Sequence, residues 1–144
     1  MSIKNIEIES SLNISHKDKL EELLFFNKSQ RQLSNKIVTS ITNYGLPVIV
    51  ETDLSIKVRL DSKIETHSLF LTTFIKNEKR LLGVALVIKG NNKDAILLHV
   101  AMDNEVHSEF LLLFITKIRK YLKQFKNIDW LNIQYIDKNV KLKV

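Results

Sequence analysis

The sequence predicts an α+β domain: a mainly antiparallel sheet of about six to eight strands, built as a meander with a C-terminal hairpin and covered by two long helices. Three observations carry this. Residues 81 to 101 are apolar on both faces of a pleat and are split by the polar turn Gly90 to Asp94, as in a buried central hairpin. Residues 54 to 60 and 131 to 135 alternate apolar with polar, as in strands with one wet face. Two stretches, near residues 16 to 44 and 105 to 126, repeat apolar residues at helical spacing.

Taken in order, Ile6, Ile8, Leu12 and Ile14 alternate with polar residues that include Glu7 and Glu9, which reads as one extended segment near a sheet edge. Ser15 followed by Asp18 offers a cap and an acidic first turn, so a helix is expected from His16 or Lys17. Its stripe is Leu20, Leu23, Leu24, Phe26, Leu33, Ile37, Val38, Ile41 and Tyr44. Two residues break the pattern: Gln30 falls on the buried side, and Phe25 points roughly 140° from the middle of the stripe. Gly45 and Pro47 then end the helix, Gly as a left-handed cap and Pro as a residue that cannot continue it.

Strands follow at Pro47 to Glu51, Leu54 to Leu60, and residues 67 to 75, and the turn KNEKR leads into the central hairpin. In that hairpin strict alternation puts Leu82, Val84, Leu86 and Ile88 on one face and Leu81, Gly83, Ala85 and Val87 on the other. Its second strand puts Ile96, Leu98, Val100 and Met102 opposite Ala95, Leu97, His99 and Ala101. Small residues at 83, 85, 95 and 101 suit close approach of helices to that face. The last helix follows Asp103 or Asn104, with Leu111, Phe114, Ile115, Ile118, Leu122 and Phe125 buried, acids early and bases late. Leu131, Ile133 and Tyr135, a turn at Asp137 to Asn139, and Val140, Leu142 and Val144 close the chain as a hairpin.

The 144 residues, with three glycines and one proline, have no linker or repeat and read as a single domain over residues 1–144. The absence of cysteine excludes disulfides and thiolate chemistry within this sequence. No leader-like or spanning apolar run occurs, so a soluble cytoplasmic protein without membrane association is expected. The net charge of +6 is concentrated late, where residues 104 to 144 hold eight Lys/Arg against four Asp/Glu. Lys117, Lys120, Lys123, Lys141 and Lys143 are the candidate basic patch.

Chemistry-bearing patterns are sparse. His16, His67, His99 and His107 show no metal-ligand spacing, and His99 reads as a hydrogen-bonded core residue. Gly45, Gly83 and Gly90 are isolated, so neither a nucleophile elbow nor a phosphate loop can be assembled. From Leu81 onward, strand, turn, strand, helix and strand resemble the acetyl-coenzyme A-binding half of GNAT acetyltransferases. That family binds pyrophosphate with a Gly-rich, Arg-containing turn before the helix, whereas the turn here is MDNEVHSE. The chain is also similar in layout to class I type III secretion chaperones, in which a helix precedes antiparallel strands and a closing helix. Those are typically acidic, and this chain lacks their middle helix and adds a terminal hairpin.

No catalytic, cofactor or metal residue is assigned. The expected function is a small non-catalytic protein-binding module, chaperone-like or immunity- or adaptor-like, with a protein partner or a second copy of itself contacting Phe25. A nucleic-acid-binding protein using the basic C-terminal region, with Trp130, Asn132 and Gln134 on one strand face, is the alternative, and a degenerate GNAT-like acyltransferase fold is the second.

Overall fold

The strands with apolar side chains on both faces form the middle of the molecule. The computed structural model describes residues 4–25, 44–62, 64–90, 92–103, 106, 109–134 and 139–144, leaving aside the side chains of Lys4, Phe25, Gln134 and Asn139. Its elements are β1 Lys4–Glu9, β2 Leu12–Asn13, α1 Lys17–Phe25, β3 Pro47–Thr52, β4 Ser55–Leu60 and β5 Thr66–Ile75. There follow β6 Glu78–Lys89, β7 Asp94–Met102, α2 Glu109–Leu122, β8 Trp130–Gln134 and β9 Asn139–Lys143. A six-stranded sheet has the order β1-β5-β6-β7-β8-β9, and a separate three-stranded sheet the order β2-β4-β3.

This corrects the expected architecture. Strand makes up 53% of the described residues and helix 24%, so two long helices do not cover the sheet. Helix α1 has nine residues and α2 has 14, against the expected spans of 16 to 44 and 105 to 126. Residues 26–43, including Gln30 and most of the first stripe, lie outside the described residues. The sheet is also mixed, because β8 pairs with β7 in parallel. An antiparallel neighbour needs only a tight turn, whereas the crossover through α2 carries the chain back to start alongside β7. The C-terminal hairpin β8–β9 is antiparallel as expected, with Leu131 opposite Leu142.

Because β6 and β7 are apolar on both sides, both faces of the sheet must be covered. Helix α2 packs on one face, where Phe114, Ile118 and Leu122 meet Leu69, Leu71, Leu82, Ala85, Val87 and Leu97. On the opposite face Leu20 and Leu23 of α1 and Ile56, Val58 and Leu60 of β4 meet Phe70, Leu81, Val84, Leu86 and Leu98. The helices therefore take opposite faces, not the same one.

Two β-bulges decide which residue faces which layer. Between Leu71 and Thr72 the partner shifts from Gly83 to Leu81, so Leu82 is the extra residue and joins the α2 side while Leu81 joins the α1 side. Between Leu86 and Val87 the partner shifts from His99 to Leu97. Beyond that point Val100 faces α2 and Ala101 faces α1, the reverse of strict alternation. His99, opposite Leu86, shares the α1 face.

The N-terminal segment is likewise divided. β1 pairs with β5 at the edge of the large sheet, and the chain then crosses at Ser10 and Ser11 so that β2 pairs with β4. Ile6 and Ile8 consequently pack toward α2 and Leu12 toward α1. Asn13, rather than Ser15, provides the cap: its Oδ1 accepts from Ser15 N–H at 2.9 Å, opening a 3-10 turn that leads into α1 at Lys17. The Gly45 and Pro47 boundary stands, with Gly45 at φ +124° and β3 starting at Pro47. Its neighbour Leu46 donates to Asp61 Oδ1 at 2.8 Å, which ties this corner to the end of β4.

Candidate functional site

The patterning of α2 that buries Phe114, Ile118 and Leu122 necessarily turns other residues outward. Thr116, Arg119, Lys120 and Lys123 fall three and four residues apart and share one flank of the helix. Edge strand β9 runs beside that flank, since Val140, Leu142 and Val144 pack toward α2. Arg119 fastens the two elements: its Nε and Nη2 both donate to the Lys143 carbonyl, at 2.9 and 2.5 Å. The result is a hollow of about 400 Å³ lined by Thr116, Arg119, Lys120, Lys123, Lys143 and Val144.

No carboxylate side chain lines this hollow, and among the described residues Lys120, Lys123 and Lys143 have no ion-pair partner. Arg119, Lys120 and Lys123 thus bring a guanidinium and two ammonium groups to one concave surface, which Lys143 meets through the carbonyl that Arg119 grips, and they sum to a local positive potential. Of the five lysines in the predicted patch, the structure brings together Lys120, Lys123 and Lys143. Lys117 is half-buried elsewhere on α2, and exposed Lys141 lies further along β9. Arg119 was missed as a member. Spacing of three and four residues from Thr116 to Lys123 was the signal for it.

Trp130 registers with Lys143 and Asn132 with Lys141 across the β8–β9 ladder, on the face away from α2. Trp130 is 40% exposed, on the opposite face of the β8–β9 ladder from the α2 flank. Asn132 is buried instead, and its Oδ1 has no partner among the described residues. The side chain of Gln134 lies outside the described residues, as does that of Phe25, whose backbone ends α1. The predicted partner contact at Phe25 is therefore without a described environment.

Among the histidines, His99 differs from expectation. It is buried, but neither ring nitrogen has a hydrogen-bond partner among the described residues. Desolvation lowers its pKa from 6.5 to about 4, which keeps the ring neutral. His67 packs with Tyr121 and Phe125, at centroid distances of 6.4 and 5.4 Å, and His107 lies outside the described residues. The buried Asp103 carboxylate, at the end of β7, meets Lys19 of α1 at 3.1 Å and Arg80 of β6 at 3.5 Å. This arrangement ties three elements together.

Among the described residues no group of three or more His, Cys, Asp or Glu could hold a metal ion, and no helix is long and apolar enough to cross a membrane. The order strand, turn, strand, helix, strand is present from β6 to β8, while residues 104, 105, 107 and 108 of the turn before α2 lie outside the described residues. Compared with protein-family models, curated proteins and solved structures, the chain matches none.

Proposed function

We propose that the protein is a non-catalytic binding module whose working surface is the cationic α2–β9 edge, and that single-stranded nucleic acid is its ligand class. The observation that carries this reading is the convergence of Arg119, Lys120 and Lys123 on one hollow against β9, with the exposed Trp130 registered against Lys143 on the other face of that edge. Cations gain affinity for a phosphate backbone by releasing its counterions, and an exposed aromatic ring stacks on unpaired bases.

Fluorescence anisotropy with a labelled single strand tests it across a salt series. Wild-type affinity is expected to fall steeply with salt, and Lys120→Glu with Lys123→Glu to weaken binding by about tenfold or more and flatten the salt slope. Lys89→Glu, on a different strand, matches part of the charge change and is expected to have a far smaller effect. Binding that ignores salt, or that survives the double substitution, would exclude this surface.

A second reading, a protein-binding module with a protein partner or a second copy, is favoured by Leu112. This side chain is 70% exposed on α2, where burying it requires another molecule. Leu112→Glu is expected to abolish any self-association seen by sedimentation and to leave the melting temperature of the monomer unchanged.

A further inference from the structure

The two sheets meet at a seam that neither of them closes. β2 pairs with β4 only at Ser55 and Ile56, and β1 pairs with β5 only from Phe70 onward. The facing edges, residues 57–60 and 66–69, therefore lie side by side without a ladder between them among the described residues. A hydrogen bond from Val58 N–H to Ser68 Oγ, 3.1 Å, spans the gap on its buried side. Unpaired strand edges are ordinarily covered or joined, because their N–H and C=O groups seek partners.

Over this seam lies a hollow of about 310 Å³, on the other flank of α2 from the cationic edge already described. Lys57 and Arg59 line it from alternate positions of β4, Ser10 and Thr52 add hydroxyls, and His67 and Tyr121 form an aromatic wall. The lining contains no carboxylate side chain. Arg59 Nη1 donates to the Leu60 carbonyl at 3.0 Å, which steadies the guanidinium and leaves its other N–H groups for an acceptor. Residues two apart on a strand sit roughly 7 Å apart on one face, a span that one phosphate group can bridge from both sides.

The wall suits a ring. His67, Tyr121 and Phe125 meet at interplanar angles of 57 to 64°, so they form a tilted, partly edge-to-face group instead of a closed stack. Burial also holds the Tyr121 phenol above its ordinary value of 10, so it remains a neutral donor. The volume lies at the small end of ligand pockets, which suits a group of mononucleotide size.

We propose that this seam hollow is a separate ligand site for a phosphate monoester carried on a ring, of mononucleotide size, with Lys57 and Arg59 holding the phosphate and His67 and Tyr121 facing the ring. Two sources share that chemistry, nucleoside monophosphates and cyclic sugar phosphates. Titration calorimetry with adenosine monophosphate, ribose 5-phosphate and adenosine separates them. Saturable binding is expected for at least one phosphate ester, with adenosine weaker by about tenfold or more because the charged contacts are absent. Lys57→Ala with Arg59→Ala is expected to weaken the ester by about tenfold or more at an unchanged melting temperature, since both side chains are exposed and the buried side of β4 is left intact. Lys120→Glu with Lys123→Glu is expected to leave it unchanged, which makes failure here distinguishable from failure of the nucleic-acid reading. Adenosine monophosphate binding more tightly than ribose 5-phosphate assigns the wall to a base; the reverse assigns it to the sugar. The proposal is overturned if neither ester binds, or if the variant lacking Lys57 and Arg59 binds as the wild type does.

Discussion

Gly83→Val is expected to destabilise the protein by about 3 kcal/mol, at the upper end of what overpacking a filled core costs. Gly83 lies in β6 beneath α2, and a β-carbon placed there would stand 2.6 Å from Met102 Sδ, 3.1 Å from the Ala101 carbonyl oxygen and 3.2 Å from Phe114 Cε2. Met102 is half-buried and can swing aside. The Ala101 carbonyl is main chain in the neighbouring strand, and Phe114 is fully buried in the α2 core, so neither can yield without moving an element. Valine adds two methyl groups to that conflict, against a gain in strand propensity of at most about 1 kcal/mol. Gly83→Ala is expected to cost only about 1 kcal/mol, because its single carbon displaces the flexible Met102 side chain and asks the Ala101 carbonyl and Phe114 for no more than a slight adjustment. Urea denaturation of both variants checks the gradation. If Gly83→Val unfolds at the wild-type midpoint, the close approach of α2 to β6 is wrong.

The second large effect is acid sensitivity centred on His99. Its folded pKa is about 4 and its ordinary value 6.5, so the native state holds the neutral ring while the unfolded chain takes up a proton. The unfolded state binds more protons between those values, hence stability rises with pH across that window. The contribution is fully present above 6.5 and is lost as the pH falls toward 4, and it amounts to roughly 3 kcal/mol at 1.36 kcal/mol per unit. His99→Leu removes both the titration and two ring nitrogens that have no partner among the described residues. The variant is expected to be at least as stable as the wild type at neutral pH, since a buried polar group without a partner carries a desolvation cost. Denaturation midpoints measured from neutral pH down to 4.5 should diverge, with the variant falling less. Parallel curves would show that His99 reaches water or a partner in the native state.

The candidate site shows how far local reading extends. The outward flank of α2 follows from its buried stripe, so the presence of Lys120 and Lys123 on a helix surface was legible from spacing alone. Their grouping with Lys143 was not, because Lys143 arrives only when β9 lies beside α2 and Arg119 fastens it there. Lys117 was expected in the same patch on charge alone, yet it is half-buried and lines no part of the hollow. The seam site was further out of reach. Lys57 and Arg59 read as an ordinary wet strand face, and nothing in the sequence places His67 and Tyr121 opposite them.

By itself the sequence determined whatever depends on a short repeat. The pattern in β4, with Ile56, Val58 and Leu60 buried and Lys57 and Arg59 exposed, is written in a period of two; the α2 stripe is written in a period of 3.6. The turn at Gly45 is written in a residue that tolerates positive φ. Tertiary structure alone decided the pairing of strands, the split of the N-terminal segment between two sheets, the parallel β8, and the two bulges that move Leu81, Leu82, Val100 and Ala101 to faces opposite those alternation assigns. The physical reason is range. A side chain's period is set by its own backbone, whereas register is set by hydrogen bonds to residues far along the chain, and one inserted residue reverses every face beyond it.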